Sequence, residues 1–472
     1  MTTYDAVIVG SGPNGLAAAV VLARSGYEVV VLEAKSTIGG GTRTEELTLP
    51  GFHHDVCSAF HPLGVVSQVF TSFPLAEHGL EWIRPEVQVA HPLADGSAGS
   101  LWHSIDTTVT HLDRDGARWR RLVGTIVDRW DVIAPEITRP LLSIPRRPSA
   151  LLAMRNGVLP AAIVARRFRT PQARALFGGI AAHSMLPLTS AMTAASGIVL
   201  GALAHVGGWP LARGGSAAIT SALGSYLMSL GGTILVDQPV RTPDDLPQSR
   251  VVLFDTTPAT LSEVYGSRVP SSMKRWISRY RHGAGSYKVD FALDGPIPWT
   301  APHARLAGTV HLGGTFEEVA AAESEVAAGV NPDRPFVLVG QQSLFDSSRA
   351  PAGKHTAWAY THVPNGFRGS LVTQIESQIE RFAPGFRDLV LARNIMSPHD
   401  LEAHNSNYRG GDIAAGATTM RQMIARPRFS SNPYRTAIPG VYLCSASTPP
   451  GPGVHGMCGF HAAQAAIKGH LG

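Results

Sequence analysis

A short apolar run, Val7-Ile8-Val9, opens the chain with no polar position alternating through it, the pattern of a strand buried in a parallel sheet. Leu16 to Arg24 continues in helix-forming residues, Gly26 closes that helix, and Glu28 to Leu32 predicts a second strand ending at Glu33. Further along, Leu80 to Val89 reads as strands, and Ala217 to Leu230 is an amphipathic helix stopped by Gly231-Gly232. Thr233 to Val240 and Arg250 to Leu253 predict two more strands, and Tyr287 to Leu293 alternates like a half-buried one. Ile375 to Phe382 predicts a helix ended near Pro384. The chain closes on a strand over Gly440 to Cys444, a glycine-rich loop, and a helix over Phe460 to Lys468. Ala175 to Ala212 carries no Asp, Glu, Lys or Arg. It is long enough to cross a bilayer, but Pro187, Pro210 and several glycines interrupt it, so it reads as a buried segment lining an apolar pocket.

Between the first strand and the first helix lies Gly10-Ser11-Gly12-Pro13-Asn14-Gly15. A G-x-G-x-x-G that leaves a strand and opens a helix, with an acid roughly 20 residues on, is the dinucleotide-binding fingerprint. Gly10 permits the tight turn, Gly12 lets the backbone approach a pyrophosphate, and Gly15 lets helix and strand pack closely. The helix N-terminus offers N–H groups to the phosphates, and Glu33 would accept hydrogen bonds from a ribose. Ile38-Gly39-Gly40-Gly41-Thr42-Arg43-Thr44 follows. It resembles the "GG…R" continuation of two-dinucleotide-binding-domain flavoproteins, which implies FAD. No second G-x-G-x-x-G occurs, so a separate NAD(P)H domain is not expected.

Composition sharpens this picture only in part. With 472 residues, 44% hydrophobic and 16% charged, the chain is a folded protein with room for two domains. Only Met-Thr-Thr precedes the first strand, so no secretory signal and a cytoplasmic protein are expected. Cys57, Cys444 and Cys458 have neither C-x-x-C spacing nor an even count, which argues against a disulfide framework, a zinc site or a disulfide reductase. His53, His54 and His61 stand close together, but without thiolate or carboxylate–histidine spacing no metal is expected. The net charge of +5 hides an asymmetry: no acid lies between Glu136 and Asp237, an interval holding Arg139, Arg146, Arg147, Arg155, Arg166, Arg167, Arg169, Arg174 and Arg213. The interval reads as a basic surface facing a membrane or an anionic substrate, or equally as a solvated face with no partner, and two readings compete within it. One is a peripheral membrane contact through region 139–174, with Ser149 to Arg169 laying its apolar side in lipid. The other, preferred for Ser149 to Arg169, is a helical pair covering the substrate cavity. Nothing points to nucleic acid.

Taken together, VIVGSGPNGLAAA, GGGTRTEE, PGFHHD, GGWPLARGGSAAI, KVDFALDGPIPW, RAPAGKHTAWAYTHVP and YRTAIPGVYLCSASTPPGPGVHGMCGFHAA resemble the phytoene desaturase and carotenoid isomerase-like flavoproteins. The nearest look is to the branch of pyridine nucleotide-disulphide oxidoreductase domain-containing proteins. The resemblance implies an α/β fold: a Rossmann-type FAD-binding domain interleaved with an α+β substrate domain. It implies FAD-domain segments 1–62, 205–258 and 430–472, with the substrate domain in 63–204 and 259–429. Carried over by motif, Gly10, Gly12, Pro13, Asn14, Gly15, Glu33, Ala34, Gly40, Gly41, Thr42 and Arg43 hold the adenosine and pyrophosphate. Val240 offers its backbone to the adenine, and Ser445 with Gly453, Val454, His455, Gly456 and Met457 lies against the isoalloxazine. Ser445 stands where relatives usually have glycine, and Pro452 replaces another.

The expected chemistry is hydride removal from a C–H of a hydrophobic small molecule to flavin N5, with formation of a double bond. The protein supplies orientation, electrostatics and exclusion of water. His455 is the first candidate to touch substrate or flavin and to accept a proton, followed by His54 and His61; Asp55 and His183 are weaker candidates. The rival functions, in order, are a redox-neutral isomerase or saturase, a flavin amine oxidase, and a non-enzymatic FAD-binding protein at a membrane.

Overall fold

A computed structural model describes residues 3–140, 147 and 152–472. Its centre is a five-stranded, all-parallel sheet in the order Val441–Leu443, Ser249–Phe254, Tyr4–Val9, Val29–Leu32, Thr233–Leu235. Three distant stretches of chain therefore meet in one sheet. The opening strand sits at its middle, with Val7 and Ile8 fully buried, which explains its unbroken apolar run. On one face pack the helices Pro13–Arg24, Ala217–Ser229 and Met457–Ala466. The other face is covered by Leu261, Val264 and Met273.

The second layer is a seven-stranded sheet in the order Val390–Met396, Gly285–Leu293, His355–Val363, Val337–Gly340, Ala307–Leu312, Val87–Pro92, Ala98–Trp102. It is antiparallel except where Ala307–Leu312 pairs with Val87–Pro92. Helices Pro171–Ala181 and Thr193–Val206 lie against it with Trp119, Phe177 and Ile198 in a shared core. Its opposite face buries Phe291, Trp299, Ile375 and Phe386. The expected α/β nucleotide domain joined to an α+β sheet domain is what the chain forms.

Several boundaries differ from the sequence reading. Leu80 to Val89 holds a two-residue strand, Trp82–Ile83, before Val87–Pro92 begins. Thr233 to Val240 stops being a strand at Leu235, because Asp237 turns to φ +55° and sends the chain back across Glu33 and Lys35. Tyr287 to Leu293 is buried on both faces, not one. The final helix starts at Met457, three residues early. Ala175 to Ala212 is interior as expected, its helices flanking the cavity described below. Of Ser149 to Arg169, the described part holds a 3-10 helix, Arg155–Val158, and a short α-helix, Ala161–Ala165. Arg146 and residues 148–151 lie outside the described residues.

Candidate active site

The cradle begins where the opening strand ends. Gly10 adopts φ +100°, which L side chains rarely take up, and a Cβ on Gly12 would lie 2.6 Å from Asp255 Oδ2. Only glycine fits at either point. The helix that follows carries Pro13 in its first turn and no side-chain cap. Gly15 N–H donates to Asp255 Oδ2 at 2.9 Å, so a carboxyl, not a ligand, meets that part of the helix end. Burial pushes the Asp255 carboxyl up to about 7. Sequence reasoning missed this residue. Its signal was an acid at the carboxyl end of a central parallel strand, where α/β sheets place their ligand crevices.

Glu33 is engaged on both oxygens. Oε2 accepts from Ser11 N–H at 3.1 Å and Ser11 Oγ at 2.5 Å; Oε1 accepts from Lys35 N–H at 2.9 Å and Arg43 Nη2 at 3.3 Å. Arg43 also donates to the Thr37 and Gly40 carbonyls. This buried pair ties the second strand to the glycine loop and to the 39–43 turn. Arg43 thus organises the cradle from within while still lining it.

A cavity of about 800 Å³ joins the two layers. Gly10, Gly12, Pro13, Asn14, Glu33, Ala34, Gly40, Gly41, Thr42, Arg43 and Val240 line one end, and Ser445, Gly453 and Val454 meet it from the C-terminal loop. From there it runs into a chamber walled by His183, Met185, Met192, Leu200, Trp209, Trp358 and Tyr360, among others. Gly15, His455, Gly456 and Met457 stand behind the wall. The cradle fits FAD in shape and chemistry: backbone too close for side chains, a helix end, a carboxylate lining the cavity at the end of the second strand, and Asn14 Oδ1 buried without a partner, an acceptor suited to a hydroxyl-bearing cofactor.

The histidines divide sharply. His455, the leading candidate, accepts Met457 N–H on Nδ1 at 3.0 Å, while its carbonyl accepts from Ser67 Oγ at 2.5 Å. It braces the start of the last helix instead of facing the cavity, and burial lowers it to about 4. His54 is also away from the cavity, its Nε2 2.8 Å from Thr48 Oγ1; burial lowers it to about 3. His61 does line the cavity, with Nε2 3.1 Å from Ser216 Oγ, and burial lowers it to about 4. Asp55 is locked to Arg349 at 2.5 Å and to Ser216 N–H at 2.7 Å. His183 lines the chamber and meets a residue the sequence did not single out, His311, with their Nε2 atoms 3.2 Å apart. No group of three or more possible metal ligands occurs among the described residues.

Comparison with known proteins agrees with this geometry. A model for NAD(P)-binding Rossmann-like domains matches residues 8–73. The pyridine nucleotide-disulfide oxidoreductase domain-containing protein 2 of Rattus norvegicus is 28% identical, covering 98% of this chain and 93% of its own. Hydroxyneurosporene desaturase of Rhodobacter capsulatus is 28% identical over 38% of this chain and 39% of its own. This chain is similar to both. The family resemblance read from its motifs therefore holds. A solved putrescine oxidase with bound putrescine superposes with a TM-score of 0.64 at 17% identity, covering 99% of each chain, and so shares the fold.

Proposed function

We propose that this FAD-dependent oxidoreductase removes hydride from a C–H of a hydrophobic substrate, leaving a new double bond. Bound FAD would take the hydride at N5 and pass two electrons to an external acceptor such as dioxygen or a quinone. The proton from the adjacent carbon leaves to solvent. The observation that carries the reading is one continuous cavity whose dinucleotide end opens into an apolar chamber. Lining residues from His183 to Leu200 and from Thr309 to Tyr360 include no Asp, Glu, Lys or Arg.

The chain's own part is binding, orientation and exclusion of water. Met185, Met192, Leu200, Trp209 and Trp358 supply apolar surface for the substrate. Gly453 and Val454 line the same cavity from the C-terminal loop, where they would support a ring system. Among the described residues no lysine lines the chamber: Lys288, on Gly285–Leu293, is buried in an ion pair with Asp290. That weighs against the amine-oxidase reading, although putrescine oxidase shares the fold.

The test is anaerobic mixing of the purified, FAD-loaded protein with polyenes, fatty acyl compounds, cyclic ketones and amines. Bleaching of the oxidised-flavin band by the apolar classes and not by amines is expected. Turnover without any electron acceptor would instead favour the isomerase, and bleaching by amines alone would overturn the proposal.

A further inference from the structure

At the far end of the chamber four histidines gather on separate elements. His91 is on Val87–Pro92, His311 on Ala307–Leu312, His362 on His355–Val363, and His183 on the turn Ala182–Ser184. Only His183 lines the cavity. Its Nε2 lies 3.2 Å from His311 Nε2, and Trp209 stands edge-on to it with ring centroids 5.5 Å apart. His183 makes no other hydrogen bond among the described residues.

The tautomers follow from the partners. His91 Nε2 is 2.8 Å from the Gly314 carbonyl, so that nitrogen carries the hydrogen and His91 Nδ1 is a bare acceptor. His91 Nδ1 and His311 Nδ1 both lack partners. Both crowd the space over Gly179, where a Cβ would lie 2.6 and 2.9 Å from them. His362 Nδ1 is held 2.8 Å from Glu323 Oε1. Burial lowers His183 to about 3 and His311 well below its ordinary value, so both rings are neutral near pH 7. Two neutral rings joined Nε2 to Nε2 share one hydrogen. When His183 donates it, its Nδ1 is an acceptor; when His311 donates it, His183 Nδ1 carries a hydrogen and is a donor. The pair can therefore serve either partner type.

We propose that His183, backed by His311, anchors the polar end of the substrate, which is a neutral, largely apolar molecule carrying a hydroxyl or a carbonyl group. His183 is half-buried and its Nδ1 has no partner among the described residues, so covering that nitrogen with an apolar group strips its water and is costly unless the ligand pairs with it. A pure hydrocarbon leaves it unpaired; an alcohol or ketone does not. A site built around such a contact rejects the analogue that lacks the polar group more strongly than an apolar pocket rejects a missing methylene. Among the described residues, the lining from His183 to Leu200 and from Thr309 to Tyr360 holds no Asp, Glu, Lys or Arg, so an ammonium or carboxylate finds no counter-ion there. This assignment rests on the chamber being the substrate site, as proposed above.

The experiment uses the FAD-loaded protein and four probes: 4-isopropylcyclohexanol, 4-isopropylcyclohexanone, isopropylcyclohexane and 4-isopropylcyclohexylamine. Dissociation constants come from calorimetry in one co-solvent. The alcohol and ketone should bind at least tenfold more tightly than the hydrocarbon and the amine. His183→Phe should reduce that preference to under threefold, while His183→Gln, which keeps a donor and an acceptor, should retain it. Each variant's FAD content and melting temperature are checked against the parent, with His183→Leu replacing the Phe variant if that one does not load FAD. No preference in the parent, tighter binding of the amine, or a preference that survives His183→Phe overturns the proposal. Bleaching of the flavin by these probes is scored separately. Its failure bears on the proposed reaction, whereas the binding preference bears on His183.

Discussion

Asp255 sits beneath the glycine loop with its carboxyl pushed up to about 7 by burial. The unfolded chain releases that proton near pH 4. Between about pH 4 and 7 the folded state therefore binds more protons, so stability falls as pH rises through this window and the cost stays in place above it. Asp255→Asn keeps an acceptor for Gly15 N–H and sheds the charge. It should exceed the parent by about 1–3 kcal/mol at pH 8 and match it near pH 4.5, read from denaturant midpoints. Glu33 behaves oppositely, since removing it leaves Arg43 buried without its carboxylate. Glu33→Ala should lose about 3 kcal/mol of stability and most bound FAD; a variant that holds FAD as tightly as the parent would remove Glu33 from the cofactor site. The glycine turn and an acid at Glu33 were legible from spacing, and the place of Arg43 from the resemblance of the turn that holds it, whereas the Glu33–Arg43 pairing was not. Asp255 and His311 were not, because their roles come from partners 240 and 128 residues away in the chain.

At the scale of elements, the apolar runs located the central strands, and one error came from the reading of alternation. Alternation was taken to mean one wet face. In Gly285–Leu293 the polar positions are instead buried: Lys288 pairs with Asp290, which also accepts from Asn394 at 3.3 Å. A polar residue inside a strand can thus be satisfied by another strand as well as by water. The last helix was read too short because its start is set by tertiary contact. A Cβ on Gly459 would run into the Asn14 backbone of the opening helix, so the two helices touch where only glycine permits. Gly459→Val should force them apart, costing about 1–3 kcal/mol by thermal melting and loosening the cradle at Asn14. His455 belongs to this joint. His455→Ala frees the Met457 N–H and should cost about 1–2 kcal/mol of stability, with the pH profile of turnover unchanged. A profile that lost a limb would restore His455 as a proton acceptor.

At the scale of the whole molecule, apolar and basic side chains share one stretch of surface. Leu152, Val158 and Ile163 are exposed at 64%, 59% and 45%, and Arg155, Arg166, Arg167 and Arg169 are exposed beside them. Arg174 and Arg213 from the same acid-free interval are instead paired with Glu317 and Glu81. The patch adjoins the chamber: Met192 N–H bonds to the Val158 carbonyl, and Met192 lines the cavity. No helix among the described residues is long and apolar enough to cross a membrane, so any contact here would be made by this face lying on the lipid. An apolar substrate that partitions into lipid would then reach the chamber without crossing water. Each exposed arginine near an anionic surface contributes on the order of 1 kcal/mol, attenuated by salt. Sedimentation with vesicles containing phosphatidylserine should therefore pull down the protein at low ionic strength and release it as salt rises. Arg166→Glu with Arg167→Glu should weaken that binding at least tenfold while leaving FAD content unchanged, since neither residue lines the cavity. Equal binding by parent and variant would mean that these arginines face solvent alone.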